Sequence, residues 1–348
     1  MTEQGFGTGA HESPHDERDY LWEAIGSAPI PFDWSKGYRV PFSFPIKNQY
    51  DSSSCGGQAG SYYEAVLEAD ATGSFEERSA KFLYAPIAYP IGGSIGRDIM
   101  DRMVKAGFGF EALTSSYKPD STTDEAFMTQ TADITDEARR KASLNTARSY
   151  TKIVSTLSID TIAQAVRDNK GAIIGINGAD NGTWLSKFPQ PPKTTDWRHW
   201  LYAMGAEMID GKKYIVAVNS WGALVGENGY QWLSEDWFTS NNIFEAWTVI
   251  YNTDVVTPAF KYYFAYNMKL GDQNDNVKAL QQALRNEGLF TYPENTGFYG
   301  SMTAKAVYAF QCKYNIAPLT RWYYQGKYCY EATRKVLNDL YAAKSPAP

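Results

Sequence analysis

The chain has 348 residues, room for one large domain plus a small one or for two of middling size. Hydrophobic residues make up 43% and charged residues 21%, a globular composition that excludes a disordered or fibrous chain. With 33 Lys and Arg against 39 Asp and Glu the net charge is −6, and no basic stripe offsets it, which excludes a non-specific nucleic-acid binder.

Residues 1–30 read as an extended, solvated segment with Gly5, Gly7, Gly9, Pro14 and scattered charges. Met1 to Tyr20 has no apolar core of the kind a Sec signal needs, so no secretory leader is expected. Regular structure is expected from Pro31-Phe32-Asp33-Trp34 onward. Ala59, Tyr62, Tyr63, Val66 and Ala69 recur at helical spacing after Cys55, with Ser52, Ser53 and Ser54 as cap candidates. A second helix is predicted over Ile159, Ile162, Ala163 and Val166.

The pattern then turns to strands over 172–176, 201–209, 214–218, 230–233 and 246–251. Asp210-Gly211 marks a hairpin between the second and third. Helices first and an antiparallel sheet second predict an α+β domain over 31–255, followed by a linker over 256–267. From 268 to 342 the pattern is all-helical. Its stripes are Val277, Leu280, Leu284 (stopped by Gly288), then Ala306, Val307, Phe310, Tyr314, then Val336, Leu337, Leu340. These predict a small three-helix module, with 343–348 as a frayed tail. Apolar runs such as 172–176 are far too short to span a bilayer. Three cysteines do not make a disulfide framework, and Cys312 and Cys329 read as buried thiols.

Of the three histidines, His11 and His15 fall in the N-terminal segment and read as solvated, leaving His199 as the imidazole of the folded body. Cysteine attack on a carbonyl needs a thiolate, a base, a group orienting that base and donors for the oxyanion. Cys55 opens a helix, whose N-terminal partial charge favours a thiolate. Gln49, six residues upstream, carries an amide that can donate to an oxyanion beside the Cys55 N–H. If the strands flanking Asp210-Gly211 pair, His199 and Asn219 meet at one end of the hairpin, and the amide can fix the imidazole tautomer.

Pro45-Ile-Lys-Asn-Gln49, Cys55, His199 and Asn219-Ser-Trp-Gly222 followed by Gly226-Glu-Asn-Gly-Tyr230 resemble the papain-like cysteine peptidases over about residues 30–252. The resemblance implies a two-subdomain papain-like fold, one half helical and one half antiparallel sheet. It implies amide hydrolysis without a cofactor or metal, with Gln49 in the oxyanion hole, Cys55 as nucleophile, His199 as base and acid, and Asn219 as orienter. It further implies that Trp221 shields the His–Asn hydrogen bond and lines the cleft, and that Gly92-Gly93 pairs with substrate backbone. Two departures stand out. Ser52 replaces the usual disulfide cysteine, and Gly56 replaces the usual aromatic, which predicts an open flank. The roughly 30 preceding residues also leave no room for a long inhibitory propeptide.

Leu270-Gly-Asp, Val277-Lys-Ala-Leu-Gln281, Phe298-Tyr-Gly300, Thr303-Ala-Lys-Ala-Val307, Phe310-Gln311 and Tyr330-Glu-Ala-Thr333 are similar to the peptidoglycan-binding three-helix domain. The ring-rich stretch 321–330 departs from it, and its rings could stack on sugars or pack inward. The expected function is a cysteine endopeptidase delivered to bacterial cell wall. Its substrate would be protein or peptide near the envelope, or wall cross-bridge peptides as in a phage-type lysin. A non-catalytic wall-binding or virion protein is the alternative from another class.

Overall fold

Glycines at 56, 57 and 60 let helix α1 (Cys55–Thr72) lie against its neighbours with almost no separation; fifteen of its eighteen residues are buried. A Cβ on Gly57 would stand 2.6 Å from the Ala80 carbonyl oxygen, and one on Gly60 would stand 2.8 Å from Leu83 Cδ1. The helix ends at Gly73, whose left-handed φ of 72° turns its N–H onto the Ala69 carbonyl. Ser54 occupies the N-cap position, but its side chain does not cap. Its hydroxyl instead meets Ser52 Oγ (2.7 Å) and the Gln58 amide (3.2 Å).

The computed structural model describes residues 7–16, 31–147, 149–153, 157–250, 260–287, 289–290, 292, 294–316 and 325–342. It divides into two compact units, Met1–Asn252 and Thr253–Pro348. In the first, short strands β1 (Ala10–His11) and β2 (Tyr38–Arg39) precede α1. Then follow α2 (Ala80–Tyr84), β3 (Ser94–Ile95), α3 (Gly96–Lys105), α4 (Glu125–Met128), α5 (Asp136–Ala142), β4 (Ser149–Lys152) and α6 (Ile159–Asn169). The remainder is β5 (Ala172–Gly178), β6 (Trp197–Ile209), β7 (Lys212–Val218), β8 (Tyr230–Ser234), α7 (Asp236–Thr239) and β9 (Ile243–Ile250). The short elements α2 to α5 were not legible because a helix of four to ten residues carries too few turns for a stripe.

The sheet runs β4-β9-β5-β6-β7-β8, with β2 on β6, and every pairing in it is antiparallel. Both faces are covered. Tyr62, Val66, Trp200, Tyr202 and Trp247 form a core with α1, while Ile162, Val166, Leu201, Ile215 and Trp237 form one with α6. Hence Leu201 and Tyr202 are both buried, a run of apolar residues rather than an alternation. Asp210 and Gly211 take positive φ (49° and 77°) and close the β6–β7 hairpin, as their side chains favour. Strand β6 begins at Trp197, so His199 lies inside it rather than at its start.

The second unit holds helices α8 (Asp275–Asn286), α9 (Ser301–Lys313) and α10 (Glu331–Tyr341), plus a two-residue ladder of β10 (Met268–Lys269) with β11 (Tyr328–Cys329). Val277, Leu280, Leu284, Val307, Phe310, Val336 and Leu337 are buried as the stripes require, while Leu340 of the third stripe is only half-buried. Gln281 is buried too: its amide donates to Phe298 O (2.9 Å) and accepts from Gly297 N–H (2.8 Å). All three cysteines are free thiols, and Cys312 is exposed rather than buried. Gly288, the tail 343–348 and residues 321–324 of the ring-rich stretch lie outside the described residues. No helix among the described residues is long and apolar enough to cross a membrane.

In an exposed helix Gly→Ala gains about 1 kcal/mol. At Gly57 the fixed Ala80 carbonyl reverses that sign, so Gly57→Ala is expected to lower stability by about 1–3 kcal/mol in urea unfolding. An unchanged or raised midpoint would show that α2 can retreat.

Candidate active site

Three chain segments converge at the N-terminus of α1. The loop carrying Gln49 is tied down by the buried Lys47, whose ammonium donates to Ser61 Oγ (2.9 Å) and to Arg78 O (2.5 Å). It is also tied to the segment after β7, through Gln49 N–H to Ser220 O (2.7 Å) and Gly222 N–H to Lys47 O (3.0 Å). Ser220 Oγ–H donates to Gln49 Oε1 (2.6 Å), which turns the Gln49 NH₂ toward the helix end. Gln49, Cys55, His199 and Asn219 are all buried, Gln49 and Asn219 joined through Ser220 and Cys55 in reach of the backbone of Trp200, the residue after His199.

His199 Nε2 lies 3.0 Å from Asn219 Oδ1, while Nδ1 is buried with no hydrogen-bond partner. Trp221 packs on the imidazole at 4.8 Å between centroids, and Trp184 and Trp197 stand edge-on at 6.3 and 6.4 Å. The backbone N–H groups of Trp200, next to His199, and of Gly9 favour the Cys55 thiolate. Burial outweighs them and pushes the thiol up to about 12. Burial also pushes His199 down to about 4, against the Asn219 hydrogen bond that raises it. Thiol and imidazole are both neutral in this state.

Residues 7–13 of the N-terminal segment lie over this site rather than clear of it, while His15 is exposed as expected. Gly7 O accepts from Gln49 Nε2 (2.9 Å) and from Trp221 Nε1 (3.0 Å). Strand β1 pairs parallel with β3, Ser94 N–H donating to Gly9 O (2.9 Å), and His11 Nε2–H donates to Gly92 O (2.8 Å). Further on, Glu245 accepts from Ser13 N–H (3.0 Å) and Arg198 pairs with Glu12 (3.6 Å). The close fit depends on glycine, since a Cβ on Gly7 would stand 1.9 Å from Ser52 O and one on Gly9 would stand 2.2 Å from Ser53 O. Beside the segment a cavity of about 340 Å³ remains, lined by His11, Ile91, Gly92, Asp196, Trp197 and Arg198.

Gly92 and Gly93 (φ 84° and 85°) border this groove, and they are held from below. Gly93 N–H donates to Tyr84 Oη (2.7 Å), whose O–H donates to Glu125 (2.5 Å); the same carboxylate accepts from Ser53 N–H (2.6 Å). Tyr84 and Glu125 had no sequence signal. The flank at Gly56 is not open. A Cβ there would meet Ser94 Oγ at 2.4 Å and Ile99 Cδ1 at 2.6 Å, so these residues fill the space of the missing aromatic. Ser52, in the disulfide position, is buried and donates to Gln49 O (2.7 Å). Among the described residues no group of three His, Cys, Asp or Glu side chains could hold a metal.

Residues 106–251 match the papain family cysteine protease pattern, which takes in His199 and Asn219 but begins after Cys55. The fold resembles xylellain, a cysteine protease from Xylella fastidiosa, at a TM-score of 0.56 and 18% identity, covering 70% of this chain and 96% of that one. It also resembles the digestive procathepsin L2 proteinase of Tenebrio molitor larval midgut (TM-score 0.52, 17% identity, 70% of this chain and 78% of that one). The N-terminal unit belongs to the papain-like cysteine peptidases. It is therefore a hydrolase, in a papain-like fold of mixed helix and antiparallel sheet. Residues 273–318 match a peptidoglycan binding domain, so the peptidase carries that domain at its C-terminal end. No curated protein matches the chain.

Gly7→Val cannot seat the segment. Alkylation of Cys55 by iodoacetamide is expected to speed up at least about tenfold, and equal rates would mean that residues 7–13 do not limit access. A second outcome concerns acid. The unfolded chain protonates His199 as pH falls through about 6.5, but the folded unit does so only near 4. The stability held above 6.5 is therefore lost on the way down, on the order of 3 kcal/mol. In thermal unfolding from neutral pH to pH 4, His199→Phe should lose less stability than wild type, and parallel curves would contradict the buried neutral imidazole.

Proposed function

We propose that this peptidase acts through Cys55 as nucleophile, His199 as base and acid, Asn219 as orienter and Gln49 as oxyanion donor. Its peptidoglycan-binding domain would hold it on bacterial cell wall, where it cleaves peptide bonds as an endopeptidase. The observation that carries the reading is the pairing of His199 Nε2 with Asn219 Oδ1, which leaves Nδ1 unpartnered in a site shared with Cys55. Gly7 O, which accepts from Gln49 Nε2, stands in for a substrate carbonyl.

Once the groove is open, the Cys55 proton passes to His199 Nδ1 and Sγ bonds to the substrate carbonyl carbon. The carbonyl π electrons move to oxygen, which accepts hydrogen bonds from Gln49 Nε2 and Cys55 N–H. Collapse of that oxyanion breaks the C–N bond, and His199 Nδ1–H protonates the leaving amine. A thioester remains. His199 then takes a proton from water as its oxygen attacks, and the second collapse returns the electron pair to sulfur, which is reprotonated. Gly92, Gly93 and Trp221 border the groove in which the substrate backbone would lie.

The test incubates the full chain, wild type and Gly7→Val, with denatured casein and with purified sacculi. Casein cleavage is expected, abolished in Cys55→Ala and His199→Ala, and reduced in kcat about a hundredfold or more in Gln49→Ala. Clearing of sacculi that requires Cys55 would assign wall cross-bridge peptides as substrate. Retention on sacculi without cleavage of either substrate would leave a wall-binding protein and sink the catalytic reading.

A further inference from the structure

The amide of Asn219 has two ends that differ only in which atom is oxygen, and a flip would present NH₂ to His199. An NH₂ facing Nε2 selects the imidazole tautomer with its proton on Nδ1, which cannot take a proton from Cys55. Something must therefore prevent the flip.

Gln231 is fully buried on β8 and its Oε1 lies 2.8 Å from Asn219 Nδ2. Its own Nε2 donates to Trp184 O and, at 3.4 Å, to Ser186 O. On the other side Asn219 Oδ1 accepts from Ser220 N–H at 2.7 Å. The chain of amides thus begins and ends on backbone groups. A carbonyl can only accept and an N–H can only donate, so neither can reverse its role. Reversing Asn219 would set C=O against C=O at Gln231 and NH₂ against N–H at Ser220, four unpaired buried groups.

We infer that Gln231 is a positioning residue for the reaction: anchored on the Trp184 and Ser186 carbonyls, it locks Asn219 in the orientation that gives His199 the Nε2–H tautomer and leaves Nδ1 a base. The inference rests on the assignment of Cys55, His199 and Asn219 above. Ser220 holds Oδ1 from the backbone, and Gln231 supplies the side-chain half of the lock.

The test uses full-length protein carrying Gly7→Val, so that access does not limit the rates. Gln231→Met keeps length and volume but removes both amide ends, and Gln231→Glu keeps an oxygen facing Asn219. Iodoacetamide alkylation of Cys55 is followed against pH, and kcat and KM are measured on denatured casein. Gln231→Met is expected to move the alkylation midpoint up toward that of an ordinary thiol. It should also lower kcat about tenfold, the effect of one buried hydrogen bond, with KM unchanged. Gln231→Glu, kept protonated by burial between carbonyls, donates its O–H to Trp184 O and should remain near wild type. In an Asn219→Ala background Gln231→Met should change neither readout further. An unmoved alkylation profile in Gln231→Met, a Gln231→Glu as impaired as Gln231→Met, or a full additional loss on top of Asn219→Ala overturns the inference. If Cys55 in the parent alkylates no faster than in the denatured chain, the catalytic assignment itself has failed. That outcome appears before residue 231 is touched.

Discussion

The hydrogen bond between His199 and Asn219 is the constraint around which the peptidase unit is arranged. It lies beneath Trp221 with Trp184 and Trp197 at its edges, out of reach of water. In such a place a polar group left without a partner is costly, so each atom of the Asn219 amide must be matched. Ser220 joins this pair to Gln49: its N–H holds Asn219, its hydroxyl holds the Gln49 amide, and its carbonyl accepts from Gln49 N–H. One residue after the β7 strand thereby fixes the orientation of two amides at once. The hairpin turn at Asp210-Gly211, a whole strand away, sets where that residue falls.

The N-terminal segment changes the electrostatics of the site as well as its access. Water would stabilise a thiolate and an imidazolium; Gly9 lies against the thiol, and Trp184, Trp197 and Trp221 enclose the imidazole. With the thiol raised to about 12 and the imidazole lowered to about 4, the proton stays on sulfur. Geometry and solvation act in the same sense, because the carbonyl of Gly7 occupies the Gln49 donor while Gly9 lies against the thiol. On the proposed assignment, Cys55 can act as nucleophile only once residues 7–13 leave the groove.

The sequence made legible what local chemistry dictates. The helix that Cys55 opens, the hairpin and the position of Asn219 after its strand follow from periodicity and from two turn residues. What it hid were contacts between distant segments. Alternating Gly5, Gly7 and Gly9 read as a solvated coil, yet the missing side chains at 7 and 9 are what allow backbone to pack against backbone. The same ambiguity misled at Gly56, where an absent aromatic suggested an opening and Ser94 and Ile99 fill the volume. Gln231 sits beside Tyr230 in a strand and carries no signal at all, since its importance depends on what lies opposite. A glycine reports that space is needed; it does not report for what.

The choice of an amide at 219 has its own logic. A carboxylate there would favour imidazolium, opposing the burial that keeps His199 neutral, and would itself need stabilisation in a dry site. An amide orients the ring without charging it, so the protonation of the dyad follows solvation rather than a fixed neighbouring charge. The same solution recurs where no chemistry is expected. In the C-terminal unit Gln281 donates to Phe298 O and Thr303 Oγ1 and accepts from Gly297 N–H, while the Gln311 amide donates to Tyr328 O and Thr333 Oγ1. A neutral group that donates and accepts at once can staple buried backbone at a far smaller desolvation cost than an ion. In the peptidase unit, this geometry fixes the direction of the proton transfer proposed for His199, and the carbonyl of Gly7 holds the Gln49 donor that the transfer would need free.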